Sequence, residues 1–121
     1  MSLLNYLGLD SILVSAKILN MFGDAGISKY EDAKRVARIL SALSSEIRLL
    51  IVCALIEKSR SVSELLEETG TTMGNISQHL RILEENMILE SKKVGNKVFY
   101  SIRNKKVIRF IKGIKQLCQH D

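Results

Sequence analysis

Residues 61–89 read SVSELLEETGTTMGNISQHLRILEENMIL, and how this stretch divides decides the fold. Ser61 and Glu64 stand three apart ahead of an apolar pair, the pattern of a capping box that opens a helix. Gly70 ends that helix, because only glycine enters the left-handed region without cost. Three residues, Gly70–Thr71–Thr72, make a tight turn. A second helix then runs from about Met73 to Glu85, with Ile76, Leu80 and Leu83 on one face at i, i+4 and i+7. Two short helices joined by so tight a turn form a helix–turn–helix, whose second helix is shaped to enter a DNA major groove.

The flanks extend this unit. Upstream, Ser28 and Glu31 form another capping box, opening a helix through about Leu43 with Val36, Ile39, Leu40 and Leu43 as its stripe. The next helix, about 45–58, is apolar on nearly all sides from Leu49 to Ile56 and is expected to be central and buried, with Cys53 in its middle. Downstream of Asn86 the period changes, and strand-like runs on either side of Gly95–Asn96 signal a hairpin. A last helix, about 104–119, gathers Val107, Phe110, Ile111, Ile114, Leu117 and Cys118 on one face, which is expected to rest on the domain. Lys105, Lys106, Arg109, Lys112 and Lys115 lie largely outside that stripe. The expected fold is mainly α with a small β-hairpin, a winged helix–turn–helix. It is expected to be dimeric, with the final and N-terminal helices in the interface. "GDAG" at 23–26 is the clearest break, giving an N-terminal helical extension over 1–27, including a helix over 10–22, and a DNA-binding and sensor domain over 28–121.

Bulk properties agree. The 121 residues suit one domain with a real core, and 46% hydrophobic residues with only 5% aromatics make that core aliphatic. The absence of proline leaves long helices unbroken. A net charge of +5 and a pI near 9.4 favour an anionic partner. The apolar start, MSLLNYLGLDSILVSAKILNMF, lacks the basic region and cleavage site of a signal peptide, and polar residues interrupt it too often for a membrane span. A cytoplasmic protein with reduced cysteines and no membrane association is expected. No C-x-x-C, nucleophile–base motif or phosphate loop points to an enzyme, and no cofactor motif is present.

The face of the 73–85 helix opposite its apolar stripe carries Gly74, Asn75, Ser77, Gln78 and Arg81. Asn and Gln can bond adenine bidentately, Ser reaches base or phosphate, and Gly74 permits close approach. Thr71, Thr72 and Met73 sit at the helix N-terminus, where free N–H groups favour a phosphate. The hairpin tip SKKVGNK offers Lys92, Lys93, Asn96 and Lys97 to a phosphate backbone. A solvated helix face and a charged edge strand would look alike taken singly. Their succession favours double-stranded operator DNA as the partner. His79, inward beside Ile76 and Leu83, suits packing or a phosphate contact.

ALSSEIRLLIVCAL (42–55), the 61–89 stretch and KKVGNKVFYSI (92–102) together resemble the ArsR/SmtB family of winged helix–turn–helix repressors over about residues 30–118. The resemblance implies a homodimer that leaves its operator palindrome on sensing an inducer. Asn86 stands where the family usually has glycine, and asparagine tolerates the left-handed turn expected there. The family's arsenic-type site needs a cysteine pair in the helix before the turn, and SVSELLEE has none. Its zinc-type site needs an acid and a histidine where this chain has Asn104 and Lys106, with only His120 nearby. No metal site is therefore expected. Cys53 and Cys118 match the dithiol of the BigR/SqrR/HlyU subgroup, which implies redox sensing: reactive sulfur such as polysulfide, or another oxidant, bridges the pair and DNA is released. A thiophilic metal or metalloid held by the same pair, and a winged-helix protein-interaction domain with no inducer, are the alternatives.

Overall fold

The computed structural model describes residues 29–119. The expected helix 10–22, the Ser28 cap and His120 lie outside them. The elements are α1 (Lys29–Leu43), α2 (Glu46–Leu55), β1 (Arg60–Ser61), α3 (Val62–Thr69), α4 (Met73–Glu85), β2 (Leu89–Val94), β3 (Lys97–Ile102) and α5 (Lys106–Cys118). The chain divides into two compact units, Met1–Arg38 and Ile39–Asp121. Of the first, only the N-terminal part of α1 is described; the second holds the whole winged helix–turn–helix.

The helix starts follow from local chemistry. Ser45 caps α2 by accepting from the Arg48 N–H at 3.3 Å. Ser61 and Glu64 make the expected reciprocal box on α3, the Ser61 N–H donating to Glu64 Oε1 at 3.1 Å and the Glu64 N–H to Ser61 Oγ at 3.3 Å. The Ser61 backbone N–H, and after it the Ser61 hydroxyl donating to Glu64 Oε1 at 3.1 Å, hold the Glu64 carboxyl below its usual range. Gly70 closes α3 at φ 69°, its N–H reaching the Leu66 carbonyl at 2.8 Å.

The end of α4 departs from expectation. Asn86 stays near helical φ at −93°, and the left-handed residue is Met87, at φ 61°. The bonds explain the shift by one. Ile88 N–H donates to the Leu83 carbonyl (3.0 Å) and Met87 N–H to the Glu84 carbonyl (3.1 Å), the paired bonds of a Schellman motif. That motif needs its left-handed residue at Met87, and it delivers Ile88 into the core beside Leu83, both fully buried.

The hairpin forms as expected around Gly95–Asn96, with Val94 paired to Lys97. Gly95 has φ 62° and Asn96 is not left-handed, so the tight turn carries its positive φ at the first position only, as in type II′. A third strand was not expected. Arg60 and Ser61 pair antiparallel with Tyr100 and Phe99, giving the sheet order β1-β3-β2. Arg60 is fixed there by donating to the Ala54 carbonyl at 2.6 Å and by ion pairs to Glu57 (3.8 Å) and Glu68 (3.5 Å).

Ile51, Val52 and Leu55 of α2, Leu65 of α3, Ile76, Leu80 and Leu83 of α4, and Ile88 and Leu89 form the core, joined by Val107 and Ile111 of α5. Each such side chain taken from water contributes about 1.5–3 kcal/mol, which is what holds α4 against α2. The expectation that α2 is buried all round needs correction. Leu49 and Leu50 are 38% and 46% exposed, and Cys53 is exposed with them. Among the described residues, one side of α2 is covered and the opposite stripe is bare. Likewise α5 buries only Val107 and Ile111, leaving Phe110, Ile114, Leu117 and Cys118 uncovered. Cys118 therefore does not face the body of its own domain.

Candidate nucleic-acid interface and thiol pair

The α4 face opposite the core is built as its sequence suggested. Burial of Ile76, Leu80 and Leu83 turns Gly74, Ser77, Gln78 and Arg81 outward, where they line one shallow groove of about 380 Å³. Thr72 caps the helix, its hydroxyl oxygen accepting from the Asn75 N–H at 3.2 Å. The Asn75 amide donates to Thr71 Oγ1 at 2.6 Å, and Ser77 Oγ donates to the Met73 carbonyl at 2.9 Å. Arg81 pairs loosely with Glu85 at 3.6 Å, both well exposed. Gln78 makes no such bond among the described residues. Its carboxamide is thus the group on this face whose donors and acceptor are all open to a base edge. Met73, 55% exposed, adds an apolar surface at the helix start that suits a thymine methyl.

The wing carries Lys92, Lys93, Asn96 and Lys97, all exposed. Its register, Lys92 opposite Phe99 and Val94 opposite Lys97, places Lys92 and Lys97 on one face and Lys93 on the other. Beyond Leu89 every β2 residue is exposed, whereas β3 is half-buried from Val98 to Ile102, so it is the outer end of the hairpin that carries its cations into solvent.

His79 is half-buried on the inner flank of α4. Its Nδ1 lies 3.0 Å from Arg48 Nη1, and the same guanidinium donates to the carbonyls of Ala42 (2.5 Å) and Ser41 (3.4 Å). Burial, and after it the Arg48 charge, push the imidazole below its ordinary pKa. Sequence reasoning missed Arg48. The signal was present as the one cation inside EIRLLIVCAL, where a charge is tolerated only if it meets acceptors.

Cys53 and Cys118 are free and exposed, Cys53 beside Leu49 and Leu50, Cys118 beside Leu117 at 77% exposure. Asn104, at the position the zinc-type site would need an acid, instead accepts from the Lys106 N–H at 3.0 Å and starts α5.

Residues 45–91, from the α2 cap to the second strand, match the family model described as bacterial regulatory protein, arsR family. Over 82 residues the chain is 33% identical to the biofilm growth-associated repressor of Xylella fastidiosa, covering 68% of this chain and 72% of that one. The chain belongs to the ArsR family. It is a DNA-binding transcriptional regulator, not an enzyme. Reduced HlyU from Vibrio cholerae has the same fold, with a TM-score of 0.68 at 28% identity over 74% of this chain and 96% of that one. The homodimeric winged helix–turn–helix domain Mb0332 from Mycobacterium bovis, a possible ArsR-family regulator, gives 0.67 at 27% identity, over 78% and 90%. Among the described residues of this ArsR-family chain, no helix is long and apolar enough to cross a membrane.

Proposed function

We propose that this ArsR-family chain is a cytoplasmic, homodimeric repressor that reads an operator with α4 and its wing and lets go when Cys53 and Cys118 are oxidised. The observation that carries the reading is the placement of both thiols. Each is free and exposed on an apolar stripe that the described residues leave uncovered. A second copy covering those stripes would bring the thiols into the surface that sets the spacing of the two α4 helices, so chemistry at the thiols acts on that spacing. The likeness to a repressor and to HlyU in its reduced form supports the same assignment.

With polysulfide as the inducer the chemistry balances without a cofactor. A thiolate attacks a terminal sulfur and expels the shortened polysulfide, leaving a persulfide. The second thiolate attacks the persulfide's inner sulfur and expels hydrosulfide. The two thiols lose two electrons to the departing sulfur, and a disulfide remains. A direct disulfide asks for Cα atoms about 4.4–6.8 Å apart; retained sulfur atoms relax that limit.

The test combines mass spectrometry with operator binding for wild type, Cys53→Ser and Cys118→Ser, before and after polysulfide or peroxide. Wild type should gain the bridge and lose DNA affinity at least about tenfold, a coupling of roughly 1–3 kcal/mol. Each variant should keep its DNA. Release of DNA by both variants as by wild type would end the thiol-switch reading while leaving DNA binding intact.

A further inference from the structure

His79 points away from the groove lined by Gly74, Ser77, Gln78 and Arg81, yet it occupies the middle of the helix that forms it. Arginine has only donors, so the Arg48–His79 bond at 3.0 Å requires a lone pair on Nδ1, with the ring proton on Nε2. Arg48 is itself held by the carbonyls of Ser41 and Ala42 at the end of α1. One guanidinium thereby ties α1, α2 and α4 together. Arg48 is the charge that acts on the ring; on α4 itself Arg81 pairs with Glu85, and Glu84 accepts from Ser91 of β2 at 2.9 Å.

We infer that Arg48 and His79 are positioning residues for DNA reading, the neutral His79 ring receiving Arg48 and so fixing how α4 presents Gln78 and Asn75 to the operator. A proton on Nδ1 removes the acceptor and sets two cations against each other at the same distance, so α4 loses its tether. The lowered pKa of His79 fits this environment, and its sign fixes the pH window. The neutral ring is fully in place above the ordinary histidine value of about 6.5. The tether is lost as pH falls below that value.

The opposite role predicts the opposite slope. If His79 contacted a phosphate directly, its protonation would add a charge-assisted bond and tighten binding in acid. The inference rests on the DNA-binding assignment, which specific binding at pH 7.5 tests separately from the slope with pH.

The experiment uses a fluorescent duplex selected by the wild-type protein from a randomised pool, with a scrambled duplex as reference. The ratio of the two affinities is followed from pH 7.5 to 5.5. Wild type should lose at least about twofold of that ratio by pH 5.5, and uptake of one proton below the ordinary histidine value limits the loss there to about tenfold. His79→Gln keeps an acceptor that does not titrate, so it should hold the ratio of pH 7.5 throughout. Arg48→Lys keeps the charge but not the fork that meets three acceptors, so it should bind with a lower ratio at every pH. A wild-type ratio that is flat or rises in acid overturns the inference, as does a His79→Gln protein that keeps the wild-type slope.

Discussion

Met87 shows what a single residue can be made to carry. The Schellman bonds at the end of α4 require a left-handed backbone at this position, and the chain places an unbranched, 58%-exposed side chain there rather than glycine. The left-handed conformation costs an L-residue about 1–2 kcal/mol, and so exposed a side chain has little packing to lose. Met87→Gly should therefore raise stability by about 1 kcal/mol, read as a higher midpoint in urea unfolding at unchanged slope. Asn86→Gly should bring no gain, because Asn86 keeps a negative φ and its side chain donates to the Ile82 carbonyl at 2.8 Å. The sequence pointed to Asn86 because asparagine tolerates left-handed backbone. Only the bonds from Ile88 N–H to the Leu83 carbonyl and from Met87 N–H to the Glu84 carbonyl put the left-handed residue one position later.

Among the elements, the wing is the one for which the proposed role is mainly electrostatic. Six paired residues on each strand hold Lys92, Lys93 and Lys97 at the outer end of β2 and β3, and none of the three is in an ion pair among the described residues. Cations so placed act on a phosphate backbone by releasing counterions rather than by reading bases. Replacing Lys92 and Lys93 together by Gln should flatten the slope of log affinity against log salt by about 2 per protomer that engages its wing, equally for selected and scrambled duplexes. The measurement is a salt titration of duplex binding, and an unchanged slope would remove the wing from the interface. For α4 the opposite pattern belongs to Gln78→Ala, which should erode the preference for the selected duplex while leaving the salt slope alone.

At the scale of the whole molecule the dominant feature is the pair of apolar stripes that the described residues leave uncovered. Leu49 and Leu50 on α2 and Phe110, Ile114 and Leu117 on α5 are too many large apolar side chains to leave in water. A second copy of the chain is the cover proposed above, and Ile114→Glu tests it by burying a charge in that contact. The variant should sediment as a monomer at concentrations where wild type is a dimer. Its operator affinity should fall at least about a hundredfold, because half-sites no longer bind as a linked pair. Charge is also divided along the chain. Residues 91–120 contain nine of the 18 Lys and Arg and none of the 13 Asp and Glu, so the wing and last helix account for more than the whole net charge of +5.

Much of this was legible from residues alone, and for local reasons. Capping boxes, a terminating glycine, the i, i+4, i+7 spacing of Ile76, Leu80 and Leu83, and a Gly-Asn turn between strand-like runs act within a few residues, so they name the elements and the outward face of α4. Local sequence thus sufficed for the helix–turn–helix, the wing and the set of side chains that face outward from α4. What it could not show depends on contacts between distant segments. The strand Arg60–Ser61 exists only because β3 lies beside it. The bare stripe of α2 appears only once the core has used up the opposite side, since an apolar helix does not say which of its faces its own chain will cover. That choice put Cys53 and Cys118 in the open, and tertiary packing alone brought Arg48 to His79, 31 residues away.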